Sequence, residues 1–229
     1  MQTHTVDSVV AMLRAQARPA ELAGMVRFGM ATEGRLGLAI PTLRGLARRL
    51  GRDHALALQL WDTGIPDAQI LAALIAEPAR FTAGQMDAWT RTMRSWDVCD
   101  QACNNAFGAS PLAWQKVGQW AGRRDEFVRR SAFSLLATLA AHDKQAADSR
   151  FIEALGLIEA AADDERNFVK TAVNWALRGI GKRNAVLNAA AIACAQRLQQ
   201  AGSRPARWIA ADALRELRSA AVQARLSKI

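Results

Sequence analysis

The stretch Phe168-Val169-Lys170-Thr171-Ala172-Val173-Asn174-Trp175-Ala176-Leu177-Arg178-Gly179-Ile180-Gly181-Lys182 sets Val169, Val173, Ala176 and Ile180 at helical spacing, so its apolar residues form one stripe. At roughly 100° per residue, Thr171, Trp175, Arg178 and Lys182 fall on the opposite side. A tryptophan therefore shares a helix face with two cations. The same pattern recurs upstream. In residues 127–139, Val128, Ala132, Leu135 and Leu139 make the stripe, Arg130 projects from the far side and Arg129 lies at the flank. In residues 95–106, Val98, Ala102, Cys103 and Ala106 form the apolar face, and Trp96 and Asp100, four apart, stand one above the other at its border.

Ala, Leu, Arg and Gln dominate the remaining sequence and alternation of period two is hard to find, so the fold class is all-α. Breakers recur at Pro19, Pro41, Gly51, Pro66, Pro78, Pro111, Gly122, His142-Asp143, Asp163-Asp164, Gly181 and Gly202-Ser203. Each interval holds one helix of ordinary length. About a dozen helices joined by short turns, without heptads long enough for a coiled coil, suggest an α-solenoid of antiparallel helix pairs, with a large bundle as the alternative. No strict repeat, low-complexity segment or linker interrupts the chain, which reads as a single domain over 1–229.

The 229 residues are 51% hydrophobic and 22% charged, which excludes a disordered or fibrous chain. Thirty Lys and Arg against 21 Asp and Glu leave a net charge of +9, so a polyanion, nucleic acid foremost, is the expected partner. No apolar run reaches the roughly 18 residues of a membrane span, and Met1-Gln2-Thr3-His4 opens without the charged start of a leader. A cytoplasmic location, with no membrane partner, is expected. Three cysteines, Cys99, Cys103 and Cys194, argue against a disulfide framework and for reduced thiols.

Several residues carry chemistry beyond packing. An aromatic ring among cations suits nucleic acid, although Trp175 could equally fill a groove against the next helix pair. The guanidinium of Arg130 could clamp two phosphate oxygens, or could simply be a solvated helix position. Ser95 can cap a helix starting at Trp96, and Asp97 then sits favourably in its first turn, so Asp97 has a structural explanation. Asp100 has two readings. Beside an aromatic wall a carboxylate can stabilise a developing cation, and it can equally cap or pair with an arginine.

Other chemistries find little support. Cys99 and Cys103 lack histidine partners at metal-ligand spacing, since His4, His54 and His142 lie in unrelated segments, so no metal or other cofactor is expected. Gly34-Arg35-Leu36-Gly37 and Gly179-Ile180-Gly181-Lys182 lack the strand and glycine spacing of a nucleotide loop. Trp61, Trp89, Trp114 and Trp120 have apolar neighbours and read mostly as packing residues.

Taken in order, Trp96-Asp97-Val98-Cys99-Asp100, Phe127-Val128-Arg129-Arg130-Ser131-Ala132 and Lys170-Thr171-Ala172-Val173-Asn174-Trp175-Ala176-Leu177-Arg178 resemble the AlkD-type DNA alkylation repair glycosylases. Leu36-Gly37-Leu38-Ala39-Ile40-Pro41-Thr42-Leu43-Arg44 is similar to an early element of that family, and Arg207-Trp208-Ile209-Ala210 to its C-terminal helix. The resemblance runs over most of the chain. It implies HEAT-like repeats with a basic concave groove for duplex DNA, and hydrolysis of the N-glycosidic bond of alkylated purines. It further implies Asp100 as the catalytic carboxylate, Trp96 and Trp175 as DNA-contacting rings, and Arg130 as the phosphate-contacting arginine. Lys170, Arg178, Lys182, Arg207 and Arg44 are the further DNA-binding candidates. The sequence has no tyrosine to match an N-terminal contact of the family, a place Phe28 fills in part.

The expected activity is that of a monofunctional, monomeric glycosylase acting on N3- and N7-alkylpurines in duplex DNA. A HEAT-like protein that binds DNA without catalysis, and a helical protein-interaction scaffold, are the alternative readings.

Overall fold

The computed structural model describes residues 4–228, so the opening Met1-Gln2-Thr3 read above lies outside the described residues. These residues form fourteen α-helices, two 3₁₀ turns and one π-type turn, and no strand occurs among them. No helix among them is long and apolar enough to cross a membrane. The chain divides into two compact units, the first ending at Ala113 and the second beginning at Trp114.

The first unit contains α1 (Val6–Ala15), α2 (Leu22–Arg27), α3 (Ile40–Leu50), α4 (His54–Asp62), α5 (Pro66–Ile75), α6 (Ala83–Thr92) and α7 (Trp96–Ala102). The breakers of the sequence are its punctuation. Pro41 and Pro66 occupy the first turns of α3 and α5, where the missing N–H costs nothing. The Asp53 carboxylate accepts from the Leu56 N–H, and Thr82 closes a capping box with Gln85. Trp61 and Trp89 stack with ring centres 3.9 Å apart, and the Trp61 indole donates to the Thr92 hydroxyl at 2.9 Å. Those two tryptophans are core, as their neighbours in the sequence suggested.

Between α2 and α3 the chain has no regular structure, and two buried aspartates hold it. Asp67 accepts from the backbone N–H groups of Leu36 (2.7 Å) and Leu38 (2.8 Å), and Asp97 pairs with Arg35. Gly37 lies between these anchors at φ +80°, a conformation that disfavours any side chain, and its α-carbon faces the Arg18 carbonyl too closely to admit one. Gly34-Arg35-Leu36-Gly37 is thus a pinned turn.

The second unit holds α8 (Ala113–Ala121) from Trp114 onward, then α9 (Glu126–His142), α10 (Asp148–Ala161), α11 (Asn167–Gly181), α12 (Ala185–Gln200), α13 (Arg204–Leu217) and α14 (Ala220–Leu226). The stripe Val169, Val173, Ala176, Ile180 of α11 is fully buried, and so is Val128, Ala132, Leu135, Leu139 of α9. Both glycines near the end of α11 are packing residues. A β-carbon on Gly179 would sit 3.3 Å from that of Ala140, and one on Gly181 would meet Leu217 at 2.7 Å and Ala191 at 2.9 Å. Small residues there let α11 approach α9 and α13.

Candidate nucleic-acid interface

In the first unit, α7 carries the tryptophan and both carboxylates of the Trp-Asp-x-x-Asp sequence, and the two acids have different fates. Asp97 is buried. Its oxygens accept from Arg35 Nη1 at 2.7 Å and Nη2 at 2.9 Å, and the Ser95 hydroxyl donates to Oδ1 at 2.5 Å. Ser95 stands at the N-cap with extended backbone, but its hydroxyl serves Asp97 and accepts from the Ala31 N–H rather than capping the helix. The sequence reading of Asp97 as a first-turn residue is therefore incomplete: a buried, bidentate ion pair fixes it. Asp100, one turn along, is half-buried beside half-buried Trp96. The Trp96 indole N–H donates to the Phe28 carbonyl at 2.9 Å, and Phe28 itself is 73% exposed. The first turn of α7 is thus anchored through its indole to the Phe28 backbone, with the Asp100 carboxylate one turn along. Arg44, on α3, is exposed.

In the second unit, Arg130 corrects an expectation. It is 4% exposed rather than projecting into solvent, and its Nη1 donates to the Phe168 carbonyl at 2.6 Å and the Thr171 hydroxyl at 3.3 Å. The physical reason is that α9 is buried around its whole circumference from Arg130 to Ala140. Its polar members satisfy themselves locally, as when Ser131 donates to the Phe127 carbonyl and Thr138 to that of Ser134.

Trp175, Arg178 and Lys182 share the half-exposed face of α11 as the spacing required. They do not share it with solvent alone. Glu216 of α13 receives Arg178 Nη1 at 2.6 Å and Lys182 Nζ at 2.6 Å, and Asp212, one turn earlier, lies 3.5 Å from Arg178 and accepts from Asn174 at 2.7 Å. Burial alone would raise the Glu216 carboxyl, but the Lys182 hydrogen bond and the charges of Arg178 and Lys182 hold it below the usual carboxylate range. The acids Asp212 and Glu216, four apart on α13, match the cations Arg178 and Lys182, four apart on α11. That complementary spacing is visible in the sequence once the two helices are known to be neighbours.

The other basic candidates are distributed around α13. The Lys170 ammonium sits 4.7 Å from the ring centre of Trp208, which is 42% exposed, and Arg207 is exposed with its guanidinium turned back to the Gly202 carbonyl. A recess of about 710 Å³ beside Trp175 is walled by Lys144, Lys182, Arg183 and Arg225 against the single acid Asp148, over Ala137 and Ala140. Arg183 donates to the Ala140 carbonyl (2.8 Å) and the Asp143 carbonyl (2.8 Å), capping the end of α9. Its role, like that of Glu216 and Arg35, was not read from the sequence. Among the described residues no cluster of three His, Cys, Asp or Glu side chains could hold a metal ion.

No curated protein matches the chain. A solved structure described as belonging to a new family of proteins related to the HEAT-like repeat DNA glycosylases, with affinity for branched DNA structures, superposes with a TM-score of 0.78. It is 18% identical over 97% of this chain and 96% of its own, so the all-α, HEAT-like fold is shared. The family model of the DNA alkylation repair enzymes matches residues 9–221. With that match covering nearly the whole sequence, the chain belongs to the DNA alkylation repair enzyme family.

Proposed function

We propose that this protein is a DNA glycosylase that hydrolyses the N-glycosidic bond of cationic N3- and N7-alkylpurines in duplex DNA. It acts as a cytoplasmic monomer without a metal or other cofactor. The observation carrying this reading is the division of labour on α7, where Asp97 is consumed by Arg35 and Asp100, beside Trp96, is the more accessible carboxylate of the pair. An alkylated purine already bears a positive charge, so it departs with the electron pair of the C1′–N bond and needs no proton from the enzyme. Positive charge moves to the deoxyribose. The Asp100 carboxylate stabilises that state and orients the attacking water, whose oxygen forms the new bond to C1′ and whose proton is released. Trp96 and Trp175 each carry a π face that attracts a cationic base, a contact worth about 0.5 to 2 kcal/mol according to desolvation. Lys170, Arg207 and Arg44 hold phosphates, as do Arg178 and Lys182 once freed from Glu216. Arg130, buried and bonded to Phe168, enters the scheme as a positioning residue between α9 and α11.

Incubating the protein with methylated duplex DNA and assaying released bases tests the proposal. Release of N3- and N7-alkylpurines with neutral uracil and hypoxanthine left in place supports it. Efficient uracil release contradicts it. A second reading, a binding protein for branched DNA without excision, draws on the described affinity of the superposing structure and on the ion pairs that occupy Arg178 and Lys182. No base release, together with tighter binding to a four-way junction than to linear duplex, selects that reading.

A further inference from the structure

Helix α3 begins a row of arginines that has no ion-pair partner among the described residues. Arg44 and Arg48 lie four apart on one face, and Gly51, at φ +75°, ends the helix and turns the chain so that Arg52 joins them around a recess of about 340 Å³. Leu74 of α5 and Asn105 complete its walls. Arg52 is held in place by donating to the Ala76 carbonyl at the end of α5. Arg44 and Arg48 are exposed, and none of the three arginines forms an ion pair among the described residues. The nearby acids are committed elsewhere: Asp53 caps α4, Asp67 binds Leu36 and Leu38, and Glu77 pairs with Arg80. Arg178 and Lys182 contrast with this row, since both spend their charge on Glu216.

We infer that the Arg44, Arg48, Arg52 row is a phosphate-backbone site that grips successive phosphates of one nucleic-acid strand. Side chains four apart on a helix stand about 5–6 Å from each other. That interval suits neighbouring phosphates along a strand. Guanidinium groups bind phosphate oxygens in pairs, and Arg52, already oriented by Ala76, loses little freedom on contact. Such contacts position the strand and read no sequence. The inference rests on DNA binding as proposed above and is independent of excision.

The test measures dissociation constants of the full chain for an undamaged 20-base-pair duplex over a range of salt concentrations. Each phosphate contact contributes about 0.9 to the slope of log K against log salt. Arg44→Gln/Arg48→Gln is therefore expected to flatten that slope by about 1.8, at an unchanged melting temperature. Removing equal charge at two exposed positions outside the row, Arg14→Gln/Arg218→Gln, is expected to flatten it less. A slope unchanged in the α3 variant, or flattened equally by the control, overturns the inference. Failure of the wild-type chain to bind DNA overturns both this inference and the proposed function. Absence of base release with an α3-dependent slope overturns excision alone and leaves the phosphate site standing.

Discussion

Arg35 and Asp97, 62 positions apart, face each other through two parallel N–H···O bonds of 2.7 and 2.9 Å, and both side chains are buried. The pair ties the irregular segment before α3 to the first turn of α7, the helix that also carries Trp96 and Asp100. Removing one partner of a buried ion pair leaves the other uncompensated, at a cost of about 3–5 kcal/mol. Asp97→Asn is accordingly expected to lower stability by that order in urea unfolding. Its surviving folded fraction is expected to retain most of the rate of base release. A fully stable Asp97→Asn protein contradicts the structural role.

Asp100→Asn is expected to do the reverse. Folding and affinity for undamaged duplex stay near wild type, while single-turnover release of an N7-alkylpurine falls about 100-fold or more, in line with the loss of other electrostatic catalytic groups. Full single-turnover activity in this variant sinks the mechanism.

Glu216→Gln releases Arg178 and Lys182 from their shared carboxylate. Lys182 is then available to phosphates and Arg178 keeps only the longer contact to Asp212, so DNA binding is expected to tighten. The salt slope is expected to steepen by as much as about 1.8, the value for two added contacts. Fluorescence anisotropy at several salt concentrations measures it, and an unaltered slope means that neither cation reaches DNA.

Two of the depressed carboxyls, Asp164 and Glu216, illustrate how stability depends on pH in one direction. Burial would raise Asp164, yet hydrogen bonds from Arg166 and the charges of Arg166 and Arg129 hold it below its ordinary value, as Lys182 and Arg178 do for Glu216. Depressed in the folded state, both groups stabilise the protein above the unfolded values of about 3.9 and 4.3, and that contribution is lost as pH falls through the lower folded values. Thermal midpoints are expected to drop below about pH 4, and less steeply in Asp164→Asn, which lacks one of these groups. Calorimetry across that range checks the sign.

Gly181→Ala places a methyl group against Leu217 and Ala191 at under 3 Å. Overpacking of this kind costs about 1–3 kcal/mol, so a lowered midpoint of urea unfolding is expected. An unchanged midpoint means that α11 and α13 have room to separate.

The apolar stripes of α7, α9 and α11 were legible in the sequence because helical periodicity is a local property, repeated every three or four residues and independent of what the helix packs against. The pairing of Trp96 with Asp100 and of Trp175 with Arg178 and Lys182 on single faces was legible for the same reason. What lay out of reach were the partners supplied from elsewhere in the chain. Asp97 finds Arg35 across 62 positions, and Arg178 finds Glu216 across 38. Arg130 misled for a related reason, since one arginine opposite a stripe looks the same whether that side meets water or protein. Its burial depends on how many sides of α9 are covered, and periodicity records only the best-covered one.

All three thiols, Cys99, Cys103 and Cys194, are buried and unbridged, and burial pushes the Cys194 thiol up to about 12, where hardly any thiolate exists at neutral pH. Burial of all three thiols is therefore expected to make the native protein slow to react with alkylating and disulfide-exchange reagents. A fluorophore can be attached through a single cysteine introduced at an exposed position such as Ala189, with no need to delete the natural ones. Slow modification of the natural three then serves as a clock for opening of the fold, because a reagent meets them only when the helices covering them part.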